Sequence, residues 1–404
     1  MSSSPQQTLK QPHWQQELLE SYTSLEELVR DGFISNAESN SLNGVARDYR
    51  VRIPRYYAGL IDKALGARCP IRQQAIPAAS EFDVDLPDWA RAISQKAFGV
   101  DLPWRADAIG DLAKLAAPRL THRYGNRAIL HLSSLCALYC RFCFRKTHLN
   151  DREKSLYDGS LDDAFHYLKE HSEIREVILT GGDPLSVTDR VLENLLRRLG
   201  EIPHLKSVRI HSRMAVTLPS RITDDLCRVL ASTQLVVNVV SHFNHTAELT
   251  APAREALARL RKSGIPLYNQ SVLLHGVNDS VDALATLFQE LFELGVRPFY
   301  LHHADWTPGT FEFRSSIEHG QALMRALKGR VPGPALPDYV LDIPGGAGKI
   351  SLQDSKIMRL ETMEDSKIAG ALYQIQTPQV KDQEQSAQSV LYAEFWKLSS
   401  KQSL

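Results

Sequence analysis

Cysteine is scarce in this chain: five in 404 residues, an odd number that excludes a fully paired disulfide framework. Net charge is missing too, with 47 Lys plus Arg against 47 Asp plus Glu, so no global field draws the chain to nucleic acid or to a membrane surface. No apolar run approaches the roughly 20 residues that a membrane span requires. The opening MSSSPQQTLKQPHWQQ has neither the charged start nor the apolar stretch of a secretory signal. No internal repeat is evident. Together these absences predict a soluble, cytoplasmic protein in a reducing compartment.

What is present falls into zones. Residues 1–115 carry helical periodicity in WQQELLESYTSLEELVRDG and IPRYYAGLIDKAL, broken by prolines, which predicts short helices wrapped on a larger body. Residues 116–330 alternate strand-like and helix-like segments. The strands are RAILHLSS, REVILTGG, LKSVRIHS, QLVVNVVS, PLYNQSVLL and RPFYLHHA, short and rich in β-branched or aromatic residues. Amphipathic stretches such as VLENLLRRLGEI and AREALARLRKSG separate them, so a parallel sheet with right-handed crossovers is expected. Polar chemistry recurs just after strand after strand, which predicts a partial (β/α) barrel over a doubly wound sheet. Residues 331–375 hold the turn DIPGGAGK and some irregular strands. In 376–404 a polar linker, QTPQVKDQEQSAQ, precedes VLYAEFWKL, expected as a terminal helix docked on the body or on a neighbouring subunit.

Three of the five cysteines, Cys136, Cys140 and Cys143, follow directly on the first strand of the middle zone; Cys69 and Cys227 stand alone and read as small buried hydrophobes. Thiolates on a loop at a strand's C-terminal end can converge on one iron–sulfur cluster. With three thiolates instead of four, one iron keeps an open position, as catalytic zinc does. A zinc site with His148 as fourth ligand, or free thiols, remains the alternative on local sequence. The Cys-x-x-x-Cys-x-x-Cys spacing, with Phe142 before the last cysteine, resembles the signature of the radical S-adenosylmethionine superfamily. Gly181-Gly182-Asp183-Pro184, closing the next strand, is similar to the glycine-rich edge that contacts the methionyl group there.

Lys349 ends the run Asp342-Ile343-Pro344-Gly345-Gly346-Ala347-Gly348-Lys349. A phosphate loop would need Ser or Thr after the lysine, and Ile350 stands there. A lysine on a glycine hinge is suited to forming and releasing a Schiff base, although locally it is also an ordinary solvated turn residue. HLSSLCALYCRFCFRK, LTGGDPL, SVRIHSR, HFNH, PLYNQSVLLHGVND, RPFYLHHAD and DIPGGAGK, in that order, resemble the lysine 2,3-aminomutase family over more than half the chain.

The resemblance implies a partial (β/α)6 TIM-like barrel of the radical SAM type, with a helical N-terminal region and a C-terminal segment carrying the pyridoxal phosphate lysine. It implies a 4Fe-4S cluster on the three cysteines, S-adenosylmethionine near Gly181, Gly182, Asp183, His242 and Gln270, and pyridoxal 5′-phosphate on Lys349. Arg123, Arg127 and Arg213 match arginines around that cofactor's phosphate. Arg145 matches the arginine for the substrate carboxylate, and Asp305 with Asp342 the acids that grip the side-chain ammonium of lysine. No role is expected for His131, His302 or His303. The implied activity is a 5′-deoxyadenosyl-radical-initiated shift of the α-amino group that turns L-lysine into β-lysine. An electron donor such as flavodoxin or ferredoxin and a homo-oligomeric state go with it. The cysteines that bind zinc between subunits in some members are missing after Cys227. An arginine mutase, the relative that isomerises lysine for translation elongation factor P, and an RNA-modifying radical enzyme are the rival readings.

Overall fold

The computed structural model describes residues 13–82, 84–150, 156–353, 357–377 and 389–398. Its main sheet has ten strands in sequence order: β1 (Leu115–Ala117), β2 (Leu120–Tyr124), β3 (Arg127–Ser133), β4 (Glu176–Gly181), β5 (Ser207–His211), β6 (Val236–Ser241), β7 (Leu267–Val272), β8 (Arg297–His302), β9 (Asp338–Ile343) and β10 (Gly348–Ser351). Each pair from β3 to β9 is parallel, while β1–β2–β3 and β9–β10 are antiparallel. The six expected strands are all present, and β9 adds a seventh parallel one beyond the six expected. Helices Leu161–Glu170, Asp189–Gly200, Asp224–Ala231, Ala251–Lys262, Val281–Glu293 and Ile317–Leu327 make the crossovers. Ser160, Thr223, Thr250, Ser280 and Ser316 cap five of them, each side chain accepting from a first-turn amide.

Alternation along the strands decides what faces what. Val177 and Leu179, Val208 and Ile210, and Val237 and Val239 turn outward, buried under helices such as Asp189–Gly200 with its Leu192, Leu195, Leu196 and Leu199. Ile178 and Thr180, Arg209 and His211, and Asn238 and Val240 turn inward, onto a cavity of about 1310 Å³ lined by every strand from β2 to β10. The two ends of the sheet approach each other across this cavity through side chains, Tyr124 of β2 accepting from the Lys349 amide of β10 at 2.9 Å. No ladder pairs β1 or β2 with β10 among the described residues, so the wall is a wound sheet and not a closed barrel.

Short helices fill the stretch from His13 to Phe98; Pro70–Ala75 lies against the cysteine loop, Gln74 O accepting from the Arg141 amide at 3.0 Å, and Asp88–Phe98 packs on Ser389–Lys397. Capping boxes at Ser24/Glu27 and Ser35/Glu38 start two of them. IPRYYAGLIDKAL is less regular than its periodicity predicts: a single helical turn, Arg55–Ala58, starts after Pro54 and stops at Gly59. VLYAEFWKL corrects the sequence reading outright. It is a strand, β13 (Ser389–Lys397), paired antiparallel along its length with β12 (Ile368–Gln376), which also pairs β11 (Ile357–Glu364). A nine-residue aromatic and β-branched run cannot be assigned by periodicity alone, and the waiting edge of β12 decides it. The polar linker expected before it lies, beyond Thr377, outside the described residues.

Candidate active site

Cys136, Cys140 and Cys143 sit on the loop between β3 and the short helix Lys146–Asn150, and all three line the cavity as free thiols. Burial, then the Asp183 carboxylate and the two neighbouring thiols, pushes the Cys136 thiol well above its ordinary value; burial and Cys140 push Cys143 up to about 11. Such crowded thiols keep their protons until a metal displaces them. His148, weighed above as a zinc ligand, turns instead to Asp107 at 3.6 Å and does not line the cavity.

Glycine lets β4 close on this loop. The amide of Gly182 donates to Ser133 O at 2.6 Å, and that of Asp183 to Leu135 O at 2.8 Å. A Cβ on Gly182 would stand 2.7 Å from Leu135 O; one on Gly181, at φ 119°, would stand 2.7 Å from Ser133 O. Only glycine permits that approach. Asp183 itself faces inward to the protein: it accepts from the Leu185 amide (2.9 Å), the Ser212 hydroxyl (2.8 Å) and the Arg213 amide (2.7 Å). Asp183 lines the cavity and shapes both the glycine edge and the start of the Arg213 turn. On the outer side, Glu81 is buried between Arg141 (2.8 Å to Nε) and Lys146 (2.7 Å), which fastens the loop to the N-terminal helices.

The other end of the cavity is built on the β9–β10 hairpin. Asp342 and Lys349, seven residues apart in sequence, become directly opposed partners across it. The Lys349 ammonium is ion-paired with Asp342, lies 3.3 Å from His302 Nδ1 and 5.2 Å from the centre of the Tyr300 ring. Against the cost of burial, Lys349 and His302 hold the Asp342 carboxyl below the usual carboxylate range. Asp305 lines the same wall with no ion pair among the described residues, and burial together with the Asp342 charge pushes its carboxyl up to about 7. His302 is held below its ordinary value by burial and by Lys349, which keeps its imidazole neutral.

Two arginines meet between the ends on a residue that nothing in the sequence singled out, Asp111. Arg145 donates to Asp111 Oδ2 from Nε (3.0 Å) and Nη2 (2.7 Å), and from Nη1 to the Thr180 hydroxyl (3.0 Å). Arg123 donates to Asp111 Oδ1 (3.2 Å) and Ile109 O (2.6 Å), and its Nη1 stands 3.9 Å from Asp342. Its Nε is buried without a hydrogen-bond partner, a donor left over in a wall of acceptors. Arg127, lying 4.0 Å over the Tyr124 ring, is at the mouth. Gln270 Oε1 accepts from His211 Nδ1 (2.9 Å), and the His242 ring leans on Phe142 with its Nε2 unpartnered.

Arg213 stands elsewhere than the sequence reading put it. Instead of joining Arg123 and Arg127 it faces the cysteine loop, with Nη1 2.8 Å from Cys140 Sγ and Nη2 paired to Glu248. His131 and His303 are interior groups, bonded to Thr121 (2.9 Å) and Tyr339 (2.8 Å). His302 and Asp111 are the site residues that sequence reasoning missed. His302 carried one signal, the strand-end position it shares with Asp305 on the same wall; Asp111 carried none.

Residues 130–288 match the Radical SAM superfamily, in keeping with three cavity-lining thiols beside a glycine edge. The chain is thus a radical SAM enzyme, of the class that works with a 4Fe-4S cluster and S-adenosylmethionine. It is 35% identical over 339 residues to the L-lysine 2,3-aminomutase of Fusobacterium nucleatum, covering 83% of this chain and 75% of that one. To the L-lysine 2,3-aminomutase of Escherichia coli it is 34% identical over 341 residues, 84% of this chain and 94% of the other. The glutamate 2,3-aminomutase of Clostridioides difficile is 33% identical over 330 residues, 82% and 74% of the two chains. The chain belongs to the lysine 2,3-aminomutase family, isomerases that act on amino acids. No helix among the described residues is long and apolar enough to cross a membrane.

Proposed function

We propose that this protein is a pyridoxal phosphate-dependent radical 2,3-aminomutase acting on L-lysine. The observation that carries the reading is the wall formed by Lys349, the buried Asp342 and the half-buried Asp305, in the same cavity as the cysteine triplet. Lys349 and the more distant Arg123 both face Asp342, so the wall is short of positive charge at Asp305, whose carboxyl is pushed up to about 7. A substrate bringing a distal ammonium makes up that deficit. A side-chain carboxylate, as in glutamate, would add a third acid.

The donor set fits the cofactors. Arg123, with its unpartnered Nε, and Arg127 at the mouth are arranged for a phosphate. Lys349 would hold pyridoxal phosphate through its side-chain nitrogen, and with that nitrogen committed to the cofactor Asp342 would be open to the ammonium of a substrate. Arg145 receives the α-carboxylate, with Asp111 behind it fixing the plane of the guanidinium. His242 and Gln270 line the stretch between cluster and lysine, where S-adenosylmethionine belongs. When bound, the cluster and S-adenosylmethionine supply a 5′-deoxyadenosyl radical, and pyridoxal phosphate a ring that delocalises an unpaired electron. The chain's own part is to hold the reacting carbons within reach and to exclude water, which the lining of Ile129, Ile178, Val240 and Val272 suits. A low-potential donor such as flavodoxin or ferredoxin, a cytoplasmic location and assembly into a homo-oligomer belong to the same reading.

The test is anaerobic reconstitution followed by incubation with lysine, arginine and glutamate, with β-isomers read by chromatography and mass spectrometry. β-Lysine as the main product is expected. Borohydride reduction and peptide mapping should find the pyridoxyl group in the peptide holding DIPGGAGK. Preference for glutamate, or an adduct on another lysine, overturns the reading.

A further inference from the structure

Arg213 is 8% exposed, and its guanidinium lies 5.1 Å from the Phe142 ring centre and 5.5 Å from that of Tyr57. Four elements pin it. Nε donates to His242 O (3.2 Å), and Nη2 reaches Gln74 Oε1 (2.6 Å), Glu248 Oε1 (2.7 Å) and the Tyr57 hydroxyl (3.2 Å). Its amide is tied to Asp183 Oδ2 at 2.7 Å, beside the glycine edge. Glu248 is in turn fixed by the Tyr57 hydroxyl (2.7 Å) and the amides of Asn244 (2.7 Å) and His245 (3.1 Å). The nitrogen left over, Nη1, stands 2.8 Å from Cys140 Sγ.

We propose that Arg213 is a positioning residue for the iron–sulfur cluster: it aims the Cys140 sulfur and, by an N–H···S bond from a permanent cation, raises the reduction potential of the cluster. The proposal rests on the cluster of the radical SAM class and is independent of the lysine and pyridoxal reading. Reducing a 4Fe-4S cluster from the 2+ to the 1+ state adds one electron, whose charge spreads onto the sulfurs. A donor to a ligating sulfur stabilises the reduced state more than the oxidised one, and hydrogen bonds to sulfur are among the levers that set such potentials. The effect is enlarged where water is excluded, as around a guanidinium packed between two rings. Guanidinium does not lose its proton at accessible pH, so the contribution is constant. The anchors matter as well. Tyr57 and Gln74 belong to the N-terminal helices, which makes that region part of the redox apparatus and not only a cover.

The experiment compares reconstituted wild type, Arg213→Gln and Arg213→Lys, without S-adenosylmethionine. Iron per chain is measured first, then the cluster midpoint in a potentiometric titration followed by electron paramagnetic resonance. Arg213→Gln should lower the midpoint, and Arg213→Lys, keeping the charge without the fork, should lower it less. The sign separates this role from a plug. If Arg213 only kept water out, the shortened side chain would admit water, hydrate the reduced cluster and raise the midpoint. An unchanged or raised midpoint overturns the proposal. Should Arg213→Gln fail to hold iron, the double variant Tyr57→Phe/Gln74→Leu keeps the cation and removes two anchors. It should show a smaller fall, and an unchanged midpoint there overturns the proposal equally.

Discussion

The two ends of the cavity are assembled in different ways. At the cysteine end, the loop is gripped by residues from distant stretches of chain: Glu81 holds Arg141 and Lys146, Arg213 holds Cys140, and the glycines of β4 lace to Ser133 and Leu135. At the lysine end, the central pair comes from one hairpin, where ladder register alone sets Lys349 against Asp342. The first end is held from many sides, although Arg52 Nε and His242 Nε2 stay without partners there. The second is left with unmet demands, namely an Asp305 carboxyl pushed up to about 7, a neutral His302 and an orphan nitrogen on Arg123. A rigid end suits a resident cluster that must not move. An end with unmet charge and hydrogen-bonding capacity suits ligands that come and go.

The contrast can be broken first at the cysteines. Replacing Cys136, Cys140 or Cys143 by Ala should abolish cleavage of S-adenosylmethionine, read as loss of 5′-deoxyadenosine together with loss of iron. Cys69→Ala, at a position buried among helices away from the loop, should leave both intact. Activity surviving in a triplet variant would sink the cluster assignment.

At the lysine end the expected losses are smaller and more selective. Asp305→Asn or Asp342→Asn removes one charge from a buried arrangement, which costs about 3–5 kcal/mol. At about 1.4 kcal/mol per factor of ten, that is roughly two to three and a half decades in kcat/KM for lysine. Iron content should not change. A drop below about tenfold, the range of exposed pairs, would mean that these acids do not hold the ammonium.

A titration sharpens the same point. Because burial and Asp342 push the Asp305 carboxyl up to about 7, it is protonated below that pH and ionised above it. Its charge is needed only when a second ammonium enters, so KM for lysine should fall as pH rises through about 7. Bound ammonium favours the ionised form, so the break in a plot of kcat should lie lower. Asp305→Asn should flatten the KM profile, and a profile unchanged in that variant would assign the break to another group.

The smallest change belongs to neither end. Ser280→Ala removes the cap of helix Val281–Glu293, which packs outside β8. A stability loss of about 1 kcal/mol is expected in urea unfolding, with cluster potential and lysine KM unaltered. A shift in either would mean that the two ends communicate through the crossover helices.

Much of this was legible in the residues. The six parallel strands, their crossovers and the cysteine loop all rest on local patterns: alternation of period two, caps and fixed spacing. The glycine edge was legible through the family resemblance, and the structure supplies its reason: a Cβ there would stand 2.7 Å from a carbonyl. Less was legible where a segment's partner lies far off. VLYAEFWKL reads as an amphipathic helix until β12 offers it an edge, and β9 goes unassigned until β8 and β10 flank it. Arg213 illustrates the same limit in the site, since sequence shows a strand followed by HSR but not whether the guanidinium turns to a phosphate or to a thiol.

The sequence by itself determined which chemistry the chain can support: three thiols at a set spacing, a lysine beyond a glycine hinge, and acids at strand ends. These depend on residue type and on separations along a few turns of chain, where backbone geometry admits few outcomes. Tertiary structure alone decided how those groups are electrically arranged. Asp342 became the partner of Lys349 by register, Asp111 became the hinge of two arginines, and Asp305 was left without an ion pair among the described residues. Charge interactions in a buried site are set by distance and by the exclusion of water, and both arise only when segments remote in sequence close around one cavity.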